Sequence, residues 1–218
     1  MYRFFVQPQV DQRQKNVFGY ELLLRKETDG GQWVVPERFT ELPLVKQAQL
    51  LEELAQQLST KATNQVLALN LNREQAEDPS MLGTIIYLKK RLNPAALTIE
   101  FTENPTLAEI QKYSLFFHQY GIQLSIDDVG TGSNTFNNIH HLLPFVDQIK
   151  FAMQNFRMHG RADQIPASLN FWHQIARQYC LDFILEGVED ESDQLMAEQL
   201  GIERHQGYFY GKPRLIAQ

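Results

Sequence analysis

What most restricts this chain is a rhythm: short, nearly continuous apolar runs recur along it, separated by stretches of helical length. The runs are YRFFVQ (2–7), NVFGYELLLR (16–25), QVLALNL (65–71), ALTIEF (96–101), IQLSID (122–127), FVDQIKF (145–151), CLDFILE (180–186) and RHQGYF (204–209). Several are apolar on both faces, as in parallel strands covered from either side. Helices fit the stretches between them, at 43–58, 105–120, 132–142, 163–179 and 190–200. In 43–58 the residues Leu44, Val45, Ala48, Leu51, Leu54, Ala55 and Leu58 form one apolar stripe at three- and four-residue spacing. Asn72 and Gln75 make a capping box that opens a further helix running to Leu92. Too few residues separate the first two runs for a helical crossover, so that pair is expected to be antiparallel. Eight strands with helices between most of them predict an α/β protein, a closed barrel with an irregular start.

Near the C-terminal end of nearly every run stands an acidic, amide or cationic residue: Glu21, Asn70, Glu100, Asp127 with Asp128, Lys150, Glu186 and Gln206. In a barrel the strand ends form one rim, where active sites are built, so these residues are expected to converge. Taken singly, each acid is more often a surface residue, a helix cap or half of a salt bridge. Their joint placement argues otherwise. Five carboxylates cannot share a small rim as bare anions, because like charges out of water drive one another toward protonation. Divalent cations resolve the conflict, and an all-oxygen donor set suits magnesium or manganese better than zinc. With one carboxylate bridging, the donors suffice for two ions, an arrangement that polarises a phosphoryl group and generates hydroxide for in-line attack. Lys150 would add positive charge beside the developing transition state.

A net charge of −6 argues against polymeric nucleic acid as a partner, since phosphate binding on that scale needs a basic surface. A small phosphate ligand held by a few cations remains compatible. Cys180 is the single cysteine and cannot form an internal disulfide, so a reducing cytoplasm is the expected setting. The opening MYRFFVQPQV lacks the basic stretch and long apolar core of a signal peptide, and no run reaches bilayer-spanning length. Trp33, Trp172 and Cys180 read as packing residues. His140–His141 reads as an exposed helix end rather than a metal pair, and HGRADQ (159–164) carries no motif.

In order and spacing, GYELLLR (19–25), LALNLN, LTIEFTE, IDDVGTG, IKFA, EGVE and QGYFYGKP resemble the EAL-domain family, the cyclic di-GMP phosphodiesterases. The likeness runs from Gln7–Pro8 to Pro213. It implies a modified TIM (β/α)8 barrel with an antiparallel second strand, a single domain over 1–218. It implies that Glu21, Asn70, Glu100 and Asp127 hold one metal ion. Asp127 would bridge to a second ion, completed by Asp128 and Glu186. The ions would be Mg²⁺ or Mn²⁺, with Ca²⁺ inhibiting. Catalytic roles fall to Glu186 and to Lys150 and Gln206, the last two near the attacking water. Gln7, Leu23 and Arg25 would bind substrate, the arginine holding a phosphate. Glu103 and Glu189 match residues that brace the loop after the aspartate pair. The reaction implied is hydrolysis of one phosphodiester of cyclic di-GMP to linear pGpG. A homodimer in bacterial signalling is expected, regulated by a separate protein.

The chain also departs from the family's pattern. Leu22 replaces an alanine, a mild apolar exchange. In Asp-Asp-Val-Gly-Thr-Gly-Ser-Asn-Thr (127–135), Val129 and Ser133 replace two aromatics, and a looser loop would weaken the second metal site. Ala152 stands where an acid is usual, a loss expected to lower rate more than binding. These departures keep open a second reading, a module of the same fold that binds cyclic di-GMP or a protein partner without turnover. A magnesium-dependent enolising barrel with Lys150 as base is a third, opposed by the paired aspartates and the lack of a capping domain.

Overall fold

The structure, a computed structural model, describes residues 1–38, 41–58, 65–78, 80–92 and 96–215. It begins with an antiparallel hairpin of β1 (Tyr2–Asp11) and β2 (Asn16–Glu27), and the short β3 (Trp33–Val34) lies antiparallel on the end of β2. Strands and helices then alternate: α1 (Leu44–Leu58), β4 (Val66–Leu71), α2 (Arg73–Glu77), α3 (Met81–Leu92), β5 (Ala96–Phe101) and α4 (Leu107–His118). The second half contains β6 (Ile122–Ile126), α5 (Phe136–Ile139), β7 (Gln148–Ala152), α6 (Met153–Met158), α7 (Ile165–Tyr179), β8 (Asp182–Glu186), α8 (Glu191–Gln199) and β9 (Arg204–Gln206).

The strands close into a barrel in the order β1-β9-β8-β7-β6-β5-β4-β2, with β2 meeting β1 again and β3 outside the ring. The expected antiparallel first pair is present. The strand that runs against the others is β1, however, and not the second strand: β1 is antiparallel to both β2 and β9, while β2 is parallel to β4. The tight turn at 12–15 reverses the chain before the first helical crossover, so β2 is the strand that enters the parallel series.

Each strand serves two layers, because successive side chains point to opposite faces. Leu97, Ile99 and Phe101 on β5, Leu124 and Ile126 on β6, and Ile149 and Phe151 on β7 are buried. They face the helices: Phe101 stacks on Tyr113 of α4 and Phe151 on Phe156 of α6. The alternate positions face the barrel interior and are polar as well as buried, among them Thr98, Glu100, Ser125, Gln148 and Lys150.

Local chemistry explains several further differences. The expected helix from Asn72 to Leu92 keeps its capping box but breaks after Glu77, where Asp78 is extended at φ −70° and ψ 119°. A residue that precedes proline, as Asp78 does, is disfavoured in helical geometry. The expected helix over 132–142 shrinks to α5 followed by a short 3-10 turn at Leu143–Phe145. Cys180 does not open a buried strand. It is exposed and caps α7 in the left-handed region at φ 57°. Trp33 packs on Phe5 with ring centroids 5.5 Å apart, Trp172 is buried, and His140 and His141 are exposed. Among the described residues no helix is long and apolar enough to cross a membrane.

The two sides of α4 give a direct test of this packing. Phe117 is fully buried, whereas Leu115, two residues earlier, is 72% exposed. Phe117→Ala is expected to cost about 3–5 kcal/mol in denaturant unfolding, and Leu115→Ala to stay within about 0.5 kcal/mol. Equal effects would contradict the assigned orientation of the helix.

Candidate active site

Strand alternation and register assemble the rim. Glu21, Leu23 and Arg25 share one face of β2. Gln7 of β1 lies opposite Glu21, and Gln9 opposite Gln206 of β9. Asn70 of β4 is in register with Glu100 of β5, and Ala152 of β7 with Glu186 of β8. Asp127 follows the end of β6 directly. Two adjacent aspartates on a continuing strand would point apart. Here Asp128 adopts the left-handed region at φ 53°, which breaks the alternation. As a result one carboxylate oxygen from each of Asp127, Asp128 and Glu186 lies within 4.8 Å of the others.

Lys150 is the hub of the interior. Its Nζ lies 2.7 Å from Glu186 Oε1, 2.9 Å from Glu100 Oε2, 3.6 Å from Glu21 Oε2 and 3.8 Å from Asp127 Oδ1. A chain of amides completes the arrangement. Asn70 Nδ2 donates to Glu21 Oε1 at 2.7 Å, and Gln206 Nε2 donates to Glu21 Oε2. Gln206 also donates to Gln7 Oε1 at 3.3 Å and accepts from Gln9 Nε2 at 2.9 Å. Both oxygens of Glu21 are therefore held.

The charges do not balance, and the acidities follow from that. Burial pushes Glu100 up to about 8, helped by the charges of Glu21 and Asp127 and opposed by Lys150. Burial raises Asp127 to about 6, with Asp128 and Glu21 adding to the effect. Glu186 rises well above the ordinary carboxylate range through burial and the neighbouring Asp127, and burial raises Asp128 as well. Glu21 is the exception. Burial pushes it up, but the charge of Lys150 and the amides of Gln206 and Asn70 outweigh that and leave it below its usual value. Burial would discharge Lys150, yet the surrounding carboxylates raise it well above an ordinary lysine.

The rim opens into a cleft of about 450 Å³ whose wall includes Gln7, Glu21, Leu23, Arg25, Asp127, Asp128, Glu186 and Gln206. Arg25 is half-buried, and burial lowers its pKa while Glu21 opposes the shift. A guanidinium stays protonated in proteins, so Arg25 presents a cation to this cleft. The donor set is all oxygen, the kind that holds hard divalent ions. Buried Glu100 Oε1 has no partner among the described residues, which also fits a cation in the cluster.

Among the described residues neither expected brace makes a hydrogen bond or ion pair to the aspartate loop, although Glu189 lines the same cleft as Asp127 and Asp128. Glu103 is exposed, and the bond from that segment to the aspartate loop comes from its neighbour, Asn104 Nδ2 to Ser133 O at 3.3 Å. Glu189 is exposed and lies 3.8 Å from Arg157. Sequence reasoning missed Gln9, Asn134, Asn155 and Arg157. Arg157 Nη1 donates to the Gly187 carbonyl at 2.8 Å and Nη2 to Asp193 Oδ1 at 2.5 Å, which fixes the turn just after Glu186. The alternation of Gln7 and Gln9 with the same-face residues of β2 was the available signal for Gln9. Short α6, which carries Asn155 and Arg157, has no apolar period long enough to announce it.

The sequence profile of the EAL domain matches residues 2–213. The chain is 29% identical to "Probable cyclic di-GMP phosphodiesterase PdeA" of Escherichia coli (strain K12), over 94% of this chain and 30% of that protein. It is 26% identical to "Signaling protein YkoW" of Bacillus subtilis (strain 168), over 95% and 27%. The chain thus spans about a third of the length of these curated relatives. Among solved structures, "PaMucR Phosphodiesterase, c-di-GMP complex" superposes with a TM-score of 0.80 at 23% identity, covering 98% of this chain and 92% of that one. A standalone EAL protein from Vibrio cholerae O395, in its c-di-GMP-bound form, gives 0.77 at 19% identity, covering 99% and 93%.

Removing Lys150 isolates the electrostatics. Lys150→Met leaves the carboxylates without their buried cation and is expected to cost about 3–5 kcal/mol in chelator-treated buffer. Millimolar Mg²⁺ is expected to restore part of that loss in thermal melts. An equal loss with and without Mg²⁺ would count against a cation-binding cluster.

Proposed function

This chain belongs to the EAL domain family, and from that premise we propose that it hydrolyses one phosphodiester of cyclic di-GMP to linear pGpG, using two magnesium or manganese ions. The observation that carries the proposal is the meeting of five carboxylates, one amide and one lysine at a single rim beside Arg25. Glu21, Asn70, Glu100 and Asp127 would hold one cation. Asp127 would share itself with a second, held by Asp128 and Glu186. Such ions, when bound, supply a polarised phosphoryl group and a water acidic enough to attack near neutral pH.

The remaining work falls to the chain's own side chains. Arg25 would grip a phosphate oxygen, with Leu23 as an apolar wall and Gln7 as a polar contact. Gln206 fixes Glu21 through its amide and stands beside the space for the attacking water. Lys150 orients Glu186 and Glu100 and keeps a positive charge next to the reacting phosphorus. An acidic protein can attract a small dianion only where cations locally invert the potential, and the Arg25 edge of the cleft meets that requirement. A cleft of about 450 Å³ also falls within the range that encloses small ligands. The names of the relatives, several of them cyclic di-GMP phosphodiesterases, support the substrate.

One observation favours the non-hydrolytic alternative. Ala152 is buried in register with Glu186 and offers the rim no polar group.

Purified chain with cyclic di-GMP and Mg²⁺ or Mn²⁺ is expected to release pGpG. Glu21→Gln should cut the rate by about 100-fold or more, since even outer partners of a metal site are worth about 10–100-fold. Ca²⁺ should support ligand binding while blocking turnover. Tight binding with no product under any metal would convert the reading to a receptor, and no binding at all would refute both.

A further inference from the structure

The loop carrying the aspartate pair is tied down by asparagine amides. Asn134 Nδ2 donates to Asp127 O at 2.5 Å, while Asn104 and Asn138 donate to Ser133 O at 3.3 and 3.0 Å. Of these amides only Asn155 reaches a carboxylate. Its Nδ2 donates to Asp128 Oδ1 at 2.7 Å, with a longer contact to Thr131 Oγ1 at 3.4 Å. Among the described residues no other side chain donates to the Asp128 carboxylate.

Asn155 sits on α6, which continues directly from the strand bearing Lys150. The bond therefore couples a left-handed loop residue to a rigid strand–helix junction. Donor type matters as well. An arginine or lysine at this place would neutralise Asp128 and compete with an ion. A neutral amide orients the carboxylate and leaves its charge intact, as outer partners of metal ligands commonly do.

We propose that Asn155 is a positioning residue for the second cation: by fixing Asp128 Oδ1, it keeps the Asp127, Asp128 and Glu186 oxygens gathered for binding. This rests on the two-cation reading of the site. The same bond gives the loop a latch from α6, in a segment where Val129 and Ser133 stand in place of bulkier residues.

The test is a Mn²⁺ titration of the full chain, followed by calorimetry and electron paramagnetic resonance, with melting curves of the metal-free proteins alongside. Wild type is expected to take up two ions, the second step producing the exchange-coupled signal of a neighbouring pair. Asn155→Ala should weaken that second step by about 10–100-fold and leave the first within about twofold, with little change in melting temperature. Asn155→Leu, close in volume but without a donor, should lose the second step equally, and it carries the comparison if the alanine variant folds poorly. Gln174→Ala, which removes an exposed amide on α7 that donates to Asn170 and is not among the bonds holding this loop, should leave both steps unchanged. An unaltered second step in the Asn155 variants, wild-type binding by Asn155→Leu, or equal weakening of both steps would each overturn the proposal. Wild type that takes up fewer than two ions would refute the two-cation reading itself, and this inference with it.

Discussion

Lys150 lies within salt-bridge distance of four carboxylates inside a closed barrel, and the rest of the rim is arranged around that fact. Two unit charges at such separations attract by about 4 kcal/mol at an effective dielectric of about 20. One lysine cannot supply this to five acids at once, and the raised pKa values of Glu100, Asp127, Asp128 and Glu186 record the shortfall. Only a backbone unable to relax can hold like charges together in this way. The strands provide it, and the apolar residues on their outer faces, packed beneath the helices, supply stability that the polar interior does not. Closure by β1 matters for the same reason. Running against its neighbours, it brings Gln7 and Gln9 to the level of Glu21 and Gln206 and completes the amide chain.

The frame of the fold was legible because burial on both faces leaves a plain signature. LTIEF and QLSI are apolar or small almost throughout, and both became strands within a residue or two of expectation. The strand-end polar residues were legible for a related reason, since a charge at the end of an apolar run is conspicuous. Backbone features without a hydrophobic period were not. The left-handed turn at Asp128, the break after Glu77 and the six-residue α6 each depend on one or two residues and leave little periodic trace. The direction of β1 relative to the whole barrel also required the closed register, since the sequence spoke only to its pairing with β2. Cys180 was misplaced because a left-handed helix cap was mistaken for the first residue of the next strand.

The departures from the family pattern gain a physical meaning from their surroundings. Val129 is fully buried, so the loop keeps an apolar anchor although the side chain there is small. Gly130, at φ 88°, packs against Trp172, where any side chain would meet the indole ring. Asparagine amides then fasten the loop from several sides. Loop order can therefore be retained by hydrogen bonds where aromatic packing is reduced. Ala152 has no comparable substitute within its own strand; its cross-strand neighbour is Glu186 itself, and Gln154 and Asn155 of the helix that follows add polar groups to the cleft wall.

The account turns on cations settling among these oxygens. A crystal structure of the chain grown with Mn²⁺ and cyclic di-GMP, read by anomalous difference density, tests that most directly. The account predicts two peaks, one among Glu21, Asn70, Glu100 and Asp127 and the other among Asp127, Asp128 and Glu186, roughly 3.5–4 Å apart as in paired-ion hydrolases. Featureless density at the rim, with Lys150 still bridging the carboxylates and Mn²⁺ present in excess, would contradict it.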